Sequence, residues 1–429
     1  MTVHKSEDAL CVDFPQIRDV PYIGVAWTVF EAGKLGYGAG AGDWVNFGQG
    51  QPETGDLPGA PDRIALAAAQ PGDYEYSPIG GLYATRAAIA DWINRTYRRG
   101  KMPYGPENVS FAAGGRLALT RLFGIFKDGA VIGWRNPDYT TYEDYLYSLR
   151  GRASLAELRT HAEEGFELTP KMFEAFLRSA RPNAFVLSNP CNPTGRVIQG
   201  AALAEMIALA RRYKCLMAFD EFYSTYVYNS DGTPSERPVS ALAHVGDVNK
   251  DPVVVFDGLT KNFRYPGWRA GWTVGPKDII EIMNRAGSAI DGGPSTLVQR
   301  AAIEVLAPGR AERDFLATRE AFALKRRRML AGLAAAGIKT AHAPEGTFYI
   351  WADLSALPEP LNDADAFFRA ALREKVITVP GHFFDIRPSR IRPLDEPLKH
   401  FVRLSYGPTM AKLEEGLSRL TRLIERAKH

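Results

Sequence analysis

The segment DGLTKNFRYPGWRAGW, residues 257–272, sets Lys261 directly after an apolar run and a threonine, with Arg269 eight residues on, behind a Pro-Gly turn. An amine at the end of a buried strand loses solvation, and nearby cations favour its neutral form. Such a lysine is a nucleophile toward carbonyls. Arg269, turned back toward the same place, carries the planar fork that grips a phosphate. Taken alone, two solvated cations on a surface loop are the simpler explanation. FDEFYSTY (219–226) puts Asp220 behind a second apolar run. A buried carboxylate needs a partner, and a protonated heterocyclic nitrogen is one; a helix N-cap uses Asp equally well.

Three further stretches add chemistry. AAGGRLALTRLF (112–123) is a glycine-rich approach to a helix, where the amides of Gly115 and Arg116 and the helix dipole form an anion site. Helices also start after glycine with no ligand in view. NPDYTTY (136–142) offers Tyr139 as a flat face for a ring, although core and surface tyrosines are commoner. LSNPCNPTGRV (187–197) ends a buried strand in a rigid turn with two Asn-Pro pairs, one more than a turn needs. Together the stretches supply a phosphate cradle, a ring face, an amide, a carboxylate, an amine and a second phosphate cation. Pyridoxal 5′-phosphate is the ligand that fits, with Asn192 held against its ring hydroxyl.

Elements must bring these residues together. AVIGW (130–134), AFVLSNP (184–190), CLMAFDE (215–221) and DPVVVFDGL (251–259) are short apolar runs ending in polar residues. Helical patterns separate them, among them RAAIADWINRTYRR (86–99), RLALTRLFGIF (116–126) and GAALAEMIALARRYK (200–214). Such alternation predicts a mostly parallel sheet, buried on both faces and flanked by helices. Ligands then bind beyond the carboxyl ends of the strands, where Asn189, Asn192, Asp220, Tyr223, Thr260 and Lys261 share a crevice. Residues 1 to about 60 read as Gly-rich and irregular. From about 300 onward, long helices alternate with short strands in the manner of a smaller α+β domain.

Bulk properties narrow the function. The chain has 429 residues, 45% hydrophobic and 24% charged, and a net charge of only +3, which argues against a nucleic-acid surface. The basic cluster LKRRRML (324–330) reads as a solvated helix face. Cys11, Cys191 and Cys215 fit no metal spacing and cannot all pair, so a reducing compartment and no metal are expected. The amino terminus has no continuous apolar core of signal-peptide length and no apolar run reaches 18 residues, which points to a soluble cytoplasmic protein with no membrane partner.

In order and spacing, these motifs resemble the fold-type I pyridoxal-phosphate enzymes, and within them the class I/II aminotransferase family. NPCNPTG is similar to its Asn-Pro-x-Asn-Pro-Thr-Gly, and Thr260-Lys261 with Arg269 to its Ser/Thr-Lys-x7-Arg; Asp220 and Tyr223 supply Asp-x-x-Tyr. The resemblance runs from about 45 to 420 and implies an α/β fold: a large domain with a mostly parallel central sheet flanked by helices, plus a smaller α+β domain. It implies a 1–59 arm joining the small domain, a 60–300 cofactor domain and a 301–429 small domain. Lys261 would hold the cofactor as an aldimine and move protons, Asp220 would pair with the pyridine nitrogen, and Asn192 and Tyr223 would bind the 3′-oxygen. Tyr139 would stack on the ring, and Gly115, Arg116 and Arg269 would hold the phosphate. YEYSPIGG resembles the segment whose tyrosine, here Tyr76, reaches the partner subunit's phosphate in a homodimer. FVRLSYG resembles the strand whose arginine, here Arg403, binds the substrate carboxylate, and Asn192 would also contact the substrate. The implied reaction moves an amino group from an L-amino acid to a 2-oxo acid; the alternative is elimination, replacement or cyclisation by a related lyase or cyclase. A DNA-binding regulator on this fold is not expected, because the residues ahead of the match show no helix-turn-helix pattern.

The chain also departs from the family pattern. Gly258 stands where a serine often contacts phosphate, and Arg264 and Pro266 replace small polar residues. The loop VPGHFFDIRPSRIRPLDEP (379–397) is long and Arg-rich, with Arg387 or Arg390 either meeting an acidic substrate group or lying on a solvated surface.

Overall fold

The computed structural model describes residues 17, 20–40, 42–64, 68–393 and 396–428; Cys11 lies outside them. Its strands in chain order are β1 (Val45–Asn46), β2 (Val109–Ala112), β3 (Val131–Asn136), β4 (Ser154–Arg159), β5 (Ala184–Ser188), β6 (Leu216–Asp220) and β7 (Val253–Gly258). After them come β8 (Gly271–Val274), β9 (Lys339–Thr340), β10 (Tyr349–Asp353), β11 (Val376–Ile377), β12 (Val379–Pro380) and β13 (Phe401–Ser405). The helices are α1 (Val25–Lys34), α2 (Tyr83–Tyr97), α3 (Gly115–Gly124), α4 (Tyr142–Ser148), α5 (Pro170–Ala180) and α6 (Gly200–Tyr213). The rest are α7 (Lys277–Ile290), α8 (Thr296–Val305), α9 (Arg310–Ala336), α10 (Ala364–Arg373) and α11 (Met410–Ala427).

Seven strands make the central sheet in the order β2-β8-β7-β6-β5-β3-β4. From β7 to β4 all pairs are parallel, while β8 runs antiparallel to both β7 and β2. The apolar runs read from the sequence are thus the inner strands, buried on both faces. Their register aligns the functional ends: Ser188 pairs with Asp220, Asp220 with Phe256, and Gly258 with Gly271. Two reversals of direction leave β2 parallel to β7, so the start of α3 reaches the same edge.

A second, antiparallel sheet has the order β12-β13-β10-β9 and holds Arg403 in its middle, opposite Trp351 on β10 and Val379 on β12. Strand β1 pairs with β11, so the segment 45–55 belongs structurally with the C-terminal elements. It then runs as a strap. The Ser405 amide donates to Phe47, the Glu53 amide to Gly407, and Lys325 pairs with Glu53.

Three expectations need correction. Residues 1 to about 60 are not uniformly irregular: VAWTVFEAGK forms α1, with Thr28 and Ala32 inward and Trp27 against Phe368 and Phe383. Helix α1 starts against Thr140, since a β-carbon on Gly24 would lie 2.9 Å from the Thr140 hydroxyl. LKRRRML is not simply a solvated face. Lys325 and Arg326 are buried, binding Glu53 with the Pro408 carbonyl and the Pro344 carbonyl respectively. Their hydrocarbon stems make them compatible with an apolar helix face once partners meet the charge. Finally, the arginines of the 379–397 loop face this chain's own carboxylates. Arg387 holds Asp385, Arg390 holds Asp144 and Arg392 holds Glu143.

Arg264 shows why a bulky cation follows the lysine. It is fully buried, and its guanidinium binds Asp314 of α9 at 3.0 Å and the carbonyls of Glu53 and Gly55. Arg63 in turn donates to the Phe263 and Arg264 carbonyls. The lysine loop is thereby fastened to the strap and to α9. Removing one partner of a buried ion pair leaves an uncompensated charge, a cost of about 3–5 kcal/mol. Arg264→Met is expected to lower unfolding stability by that order, and Arg264→Met with Asp314→Leu by clearly less. A chemical-denaturation midpoint unchanged in the single variant contradicts this role.

Candidate active site

The site is assembled where β2, β3, β5, β6 and β7 end. The turn after β5 uses its two asparagines differently. Asn189 is structural: its side chain accepts from the Ile198 amide and donates to the Ile198 carbonyl, both at 2.8 Å. Asn192 faces the crevice; its backbone N–H donates to the Ser188 hydroxyl at 3.0 Å, and its Oδ1 accepts from Arg403 at 2.9 Å. Ser188 in turn donates to Asp138, which is held by Arg135 and accepts from the Tyr139 amide at 2.7 Å. A buried polar layer thus orients both Asn192 and Tyr139. Sequence reasoning did not find Arg135 or Asp138, since isolated Arg and Asp residues carry no spacing signal.

Asp220 ends β6 with its carboxylate almost wholly buried. Its Oδ2 accepts from the Tyr142 hydroxyl at 3.2 Å. Burial, and then the neighbouring Asp138, push it up to about 7, against the Phe222 amide, Tyr142 and Lys261, which favour ionisation. Lys261 is half-buried beyond β7, and its amine has no hydrogen-bond acceptor among the described side chains. Burial and the repulsion of Arg269, Arg403 and Arg116 bring this amine down to about 7, with Asp220 pulling the other way.

Glycines let α3 begin directly against β7 and β8. A β-carbon on Gly271 would sit 2.7 Å from the Gly115 nitrogen, and one on Gly114 would sit 2.3 Å from the Arg269 guanidinium. The helix has no side-chain cap, so its first amides remain available at this point. Gly258 now has a physical reason: a β-carbon there would lie 2.4 Å from the Ala270 carbonyl oxygen, so a serine does not fit this backbone. One residue before the lysine, the buried Thr260 hydroxyl has no partner. Arg116 directs its Nε to the Tyr139 hydroxyl at 3.3 Å, while its amide stays at the helix start. Phe222 fills the space beside Gly115 and Gly258, another contact with no sequence signature.

Arg403 is buried with its guanidinium 4.1 Å from the Tyr349 ring centroid and 5.0 Å from that of Phe384. It donates to Asn192 and to the Gly48 carbonyl, and its Nε is unpartnered. Among the described residues, neither Arg403 nor Arg269 forms an ion pair with a carboxylate. Tyr349 links the two halves, its hydroxyl 2.9 Å from that of Tyr223. Lys261, Asp220, Tyr223, Asn192, Tyr139, Gly115, Arg116, Arg269 and Arg403 therefore gather around one crevice. Tyr76 does not join them. It is fully exposed, on a surface cavity of about 310 Å³ lined by residues 73–77 and 292–296.

The architecture is that of fold-type I aminotransferases. It superposes on an aspartate aminotransferase from Thermus thermophilus solved with maleate at a TM-score of 0.77, with 26% identity over 94% of this chain and 97% of that one. An aminotransferase from Mycobacterium tuberculosis also matches at 0.77, with 25% identity, 95% of this chain and 97% of that one. The family model for class I and II aminotransferases matches residues 42–420, and the chain belongs to that family. Similar relatives include the aspartate/prephenate aminotransferase of Thermus thermophilus, 29% identical over 90% of this chain and 92% of the relative. The LL-diaminopimelate aminotransferase of Halothermothrix orenii is 25% identical over 88% and 90%. The chain is accordingly a transferase of amino groups, and the lyase or cyclase alternative is not favoured.

The lowered basicity of Lys261 is directly measurable. An ordinary lysine becomes reactive only near pH ~10.4. In the protein without added cofactor, modification of Lys261 by an amine-directed reagent, followed by peptide mass mapping, is expected to rise through half-maximum near pH 7. A midpoint near pH ~10 would show that the amine is not desolvated among cations.

Proposed function

We propose that the chain is a pyridoxal 5′-phosphate-dependent aminotransferase that moves an amino group from an L-amino acid to a 2-oxo acid, with Lys261 as the amine that carries the cofactor. The observation that carries this reading is Lys261 itself: an amine near neutrality, without an acceptor, between one carboxylate and three guanidiniums. The remaining residues fit the group. The uncapped start of α3 at Gly115 and Arg116, the unpartnered Thr260 hydroxyl and Arg269 suit a phosphate. Asp220, buried and near neutrality, suits a protonated ring nitrogen, whose positive charge would favour its ionised form. Asn192 and Tyr223 suit the ring oxygen, and Tyr139 a ring face.

When bound, the cofactor supplies an electron sink for the pair left at the substrate Cα. The chain's own residues do the rest. Lys261 Nζ, in its neutral form, would take the proton from Cα and release it on the cofactor side, as transfer of the amino group requires. Asp220 would pair with the ring nitrogen and favour its protonated form. Arg403, held flat by Tyr349 and Phe384 and steadied by Asn192, orients the substrate carboxylate so that the Cα–H bond faces Lys261.

The same proposal covers assembly and organisation. The exposed Tyr76 is available to a second copy, supporting a homodimer in which each chain completes its partner's phosphate site. The division near residues 60 and 300 is supported by the two separate sheets, and the 1–59 arm by the β1–β11 pairing. No helix of the described residues is long and apolar enough to cross a membrane, and cytoplasmic residence is proposed with the rest. Aspartate and LL-diaminopimelate, named in the relatives, are the first amino donors to assay, with 2-oxo acids, prephenate among them, as acceptors.

The test is formation of the 2-oxo acid from an amino donor after reconstitution. Arg403→Leu removes charge-assisted hydrogen bonds to the substrate, about 3 kcal/mol, and is expected to lower kcat/KM roughly a hundredfold. Failure of the wild-type protein to exchange any amino group in the presence of the cofactor would overturn the reading.

A further inference from the structure

We propose that Asn262 is a positioning residue for the Lys261 amine, acting through a buried hydrogen-bonded bridge between the segment that carries the amine and the segment that carries Asp220. The inference rests on the cofactor reading above. Lys261 lies in a loop that leaves the sheet after β7 and returns at β8, its neck closed by the Leu259 amide on Ala270 and the Tyr265 amide on Leu259. Nothing in that neck fixes the loop's tip relative to Asp220, one strand away.

Asn262 does. Its side chain is almost wholly buried. Its Oδ1 accepts from the Thr225 hydroxyl at 2.8 Å and the Thr225 amide at 3.2 Å. Its Nδ2 donates to Asp257 Oδ1 at 2.7 Å, to the Ser224 hydroxyl at 2.9 Å and to the Glu221 carbonyl at 3.3 Å. One amide therefore ties the residue after the lysine to β7 and to residues 221–225, the stretch that follows Asp220 and includes Tyr223. The Tyr226 hydroxyl adds a tether on the lysine's own carbonyl at 2.7 Å. The backbone of Lys261 is held on both sides while its amine stays unbonded.

An amide suits this place because it must accept toward Thr225 and donate toward Asp257 at once. Asp257 is buried and also accepts from the Gly258 amide at 2.6 Å. A carboxylate at 262 would face that buried carboxylate, and a serine is too short to span both sides. Exchanging the two, with the amide at 257 and the carboxylate at 262, keeps one donor and one acceptor across the gap.

The test uses the reconstituted holoenzyme with Asn262→Ser, Asn262→Asp and the exchange Asp257→Asn with Asn262→Asp. Three quantities are read: the pH midpoint of the visible absorbance of bound cofactor, the rate constant of the half-reaction with an amino acid, and the affinity for that amino acid from its saturation. Both single variants are expected to slow the half-reaction about tenfold or more and to move the midpoint by about half a unit or more. Affinity is expected to stay within about twofold, because Arg403 and Asn192 are untouched. The exchange variant recovers most of the lost rate. Single variants that titrate and react like wild type overturn the proposal, as does an exchange variant no better than Asn262→Ser. A wild-type protein that shows no cofactor absorbance fails at the earlier step, overturning the cofactor reading and this one with it.

Discussion

Most of the structure follows from keeping one amine poorly solvated among cations at the carboxyl edge of a sheet. Lys261 loses water by burial and meets Arg269, Arg403 and Arg116, with only Asp220 in opposition. Cations do not gather without cause. Each guanidinium is held by a different device: Arg269 lies against the bare Gly114, Arg403 is stacked on Tyr349, and Arg116 leans on the Tyr139 hydroxyl. Remove the devices and the charges drift into solvent, where screening restores ordinary lysine basicity.

The backbone around this point is correspondingly exacting. Four glycines, at 114, 115, 258 and 271, let a helix start and a strand pair approach closer than any side chain permits. The same packing explains the missing serine at 258 and leaves Thr260 as the hydroxyl nearest the lysine in sequence. Farther out, the strap 45–55 joins the strand of Arg403 to the loop of Lys261, through the Gly48 carbonyl on one side and the Glu53 and Gly55 carbonyls on the other. The Arg403 guanidinium and the loop of the Lys261 amine are therefore positioned by one continuous stretch of chain.

Much of this was legible in the sequence. Continuous apolar runs named the inner strands, and the polar residues ending them named the crevice, because parallel strands put all their carboxyl ends on one edge. What stayed hidden depends on contacts between distant residues. Strands β2 and β8 are short and close the sheet antiparallel, which a four-residue pattern does not announce. Helix α1 was obscured by its Gly-rich surroundings. Arg264, Lys325 and Arg326 look like surface charges until Asp314, Glu53 and the Pro344 carbonyl are folded against them. The paired arginines of the 379–397 loop follow the same rule.

The most direct measurement is chemical trapping of the cofactor. Protein incubated with pyridoxal 5′-phosphate, reduced with borohydride, digested and mapped by mass should carry the pyridoxyl label on the peptide containing Lys261 and on no other lysine in comparable yield. Label absent from that peptide, or spread evenly over surface lysines, would contradict the assignment of Lys261 as the cofactor-bearing amine.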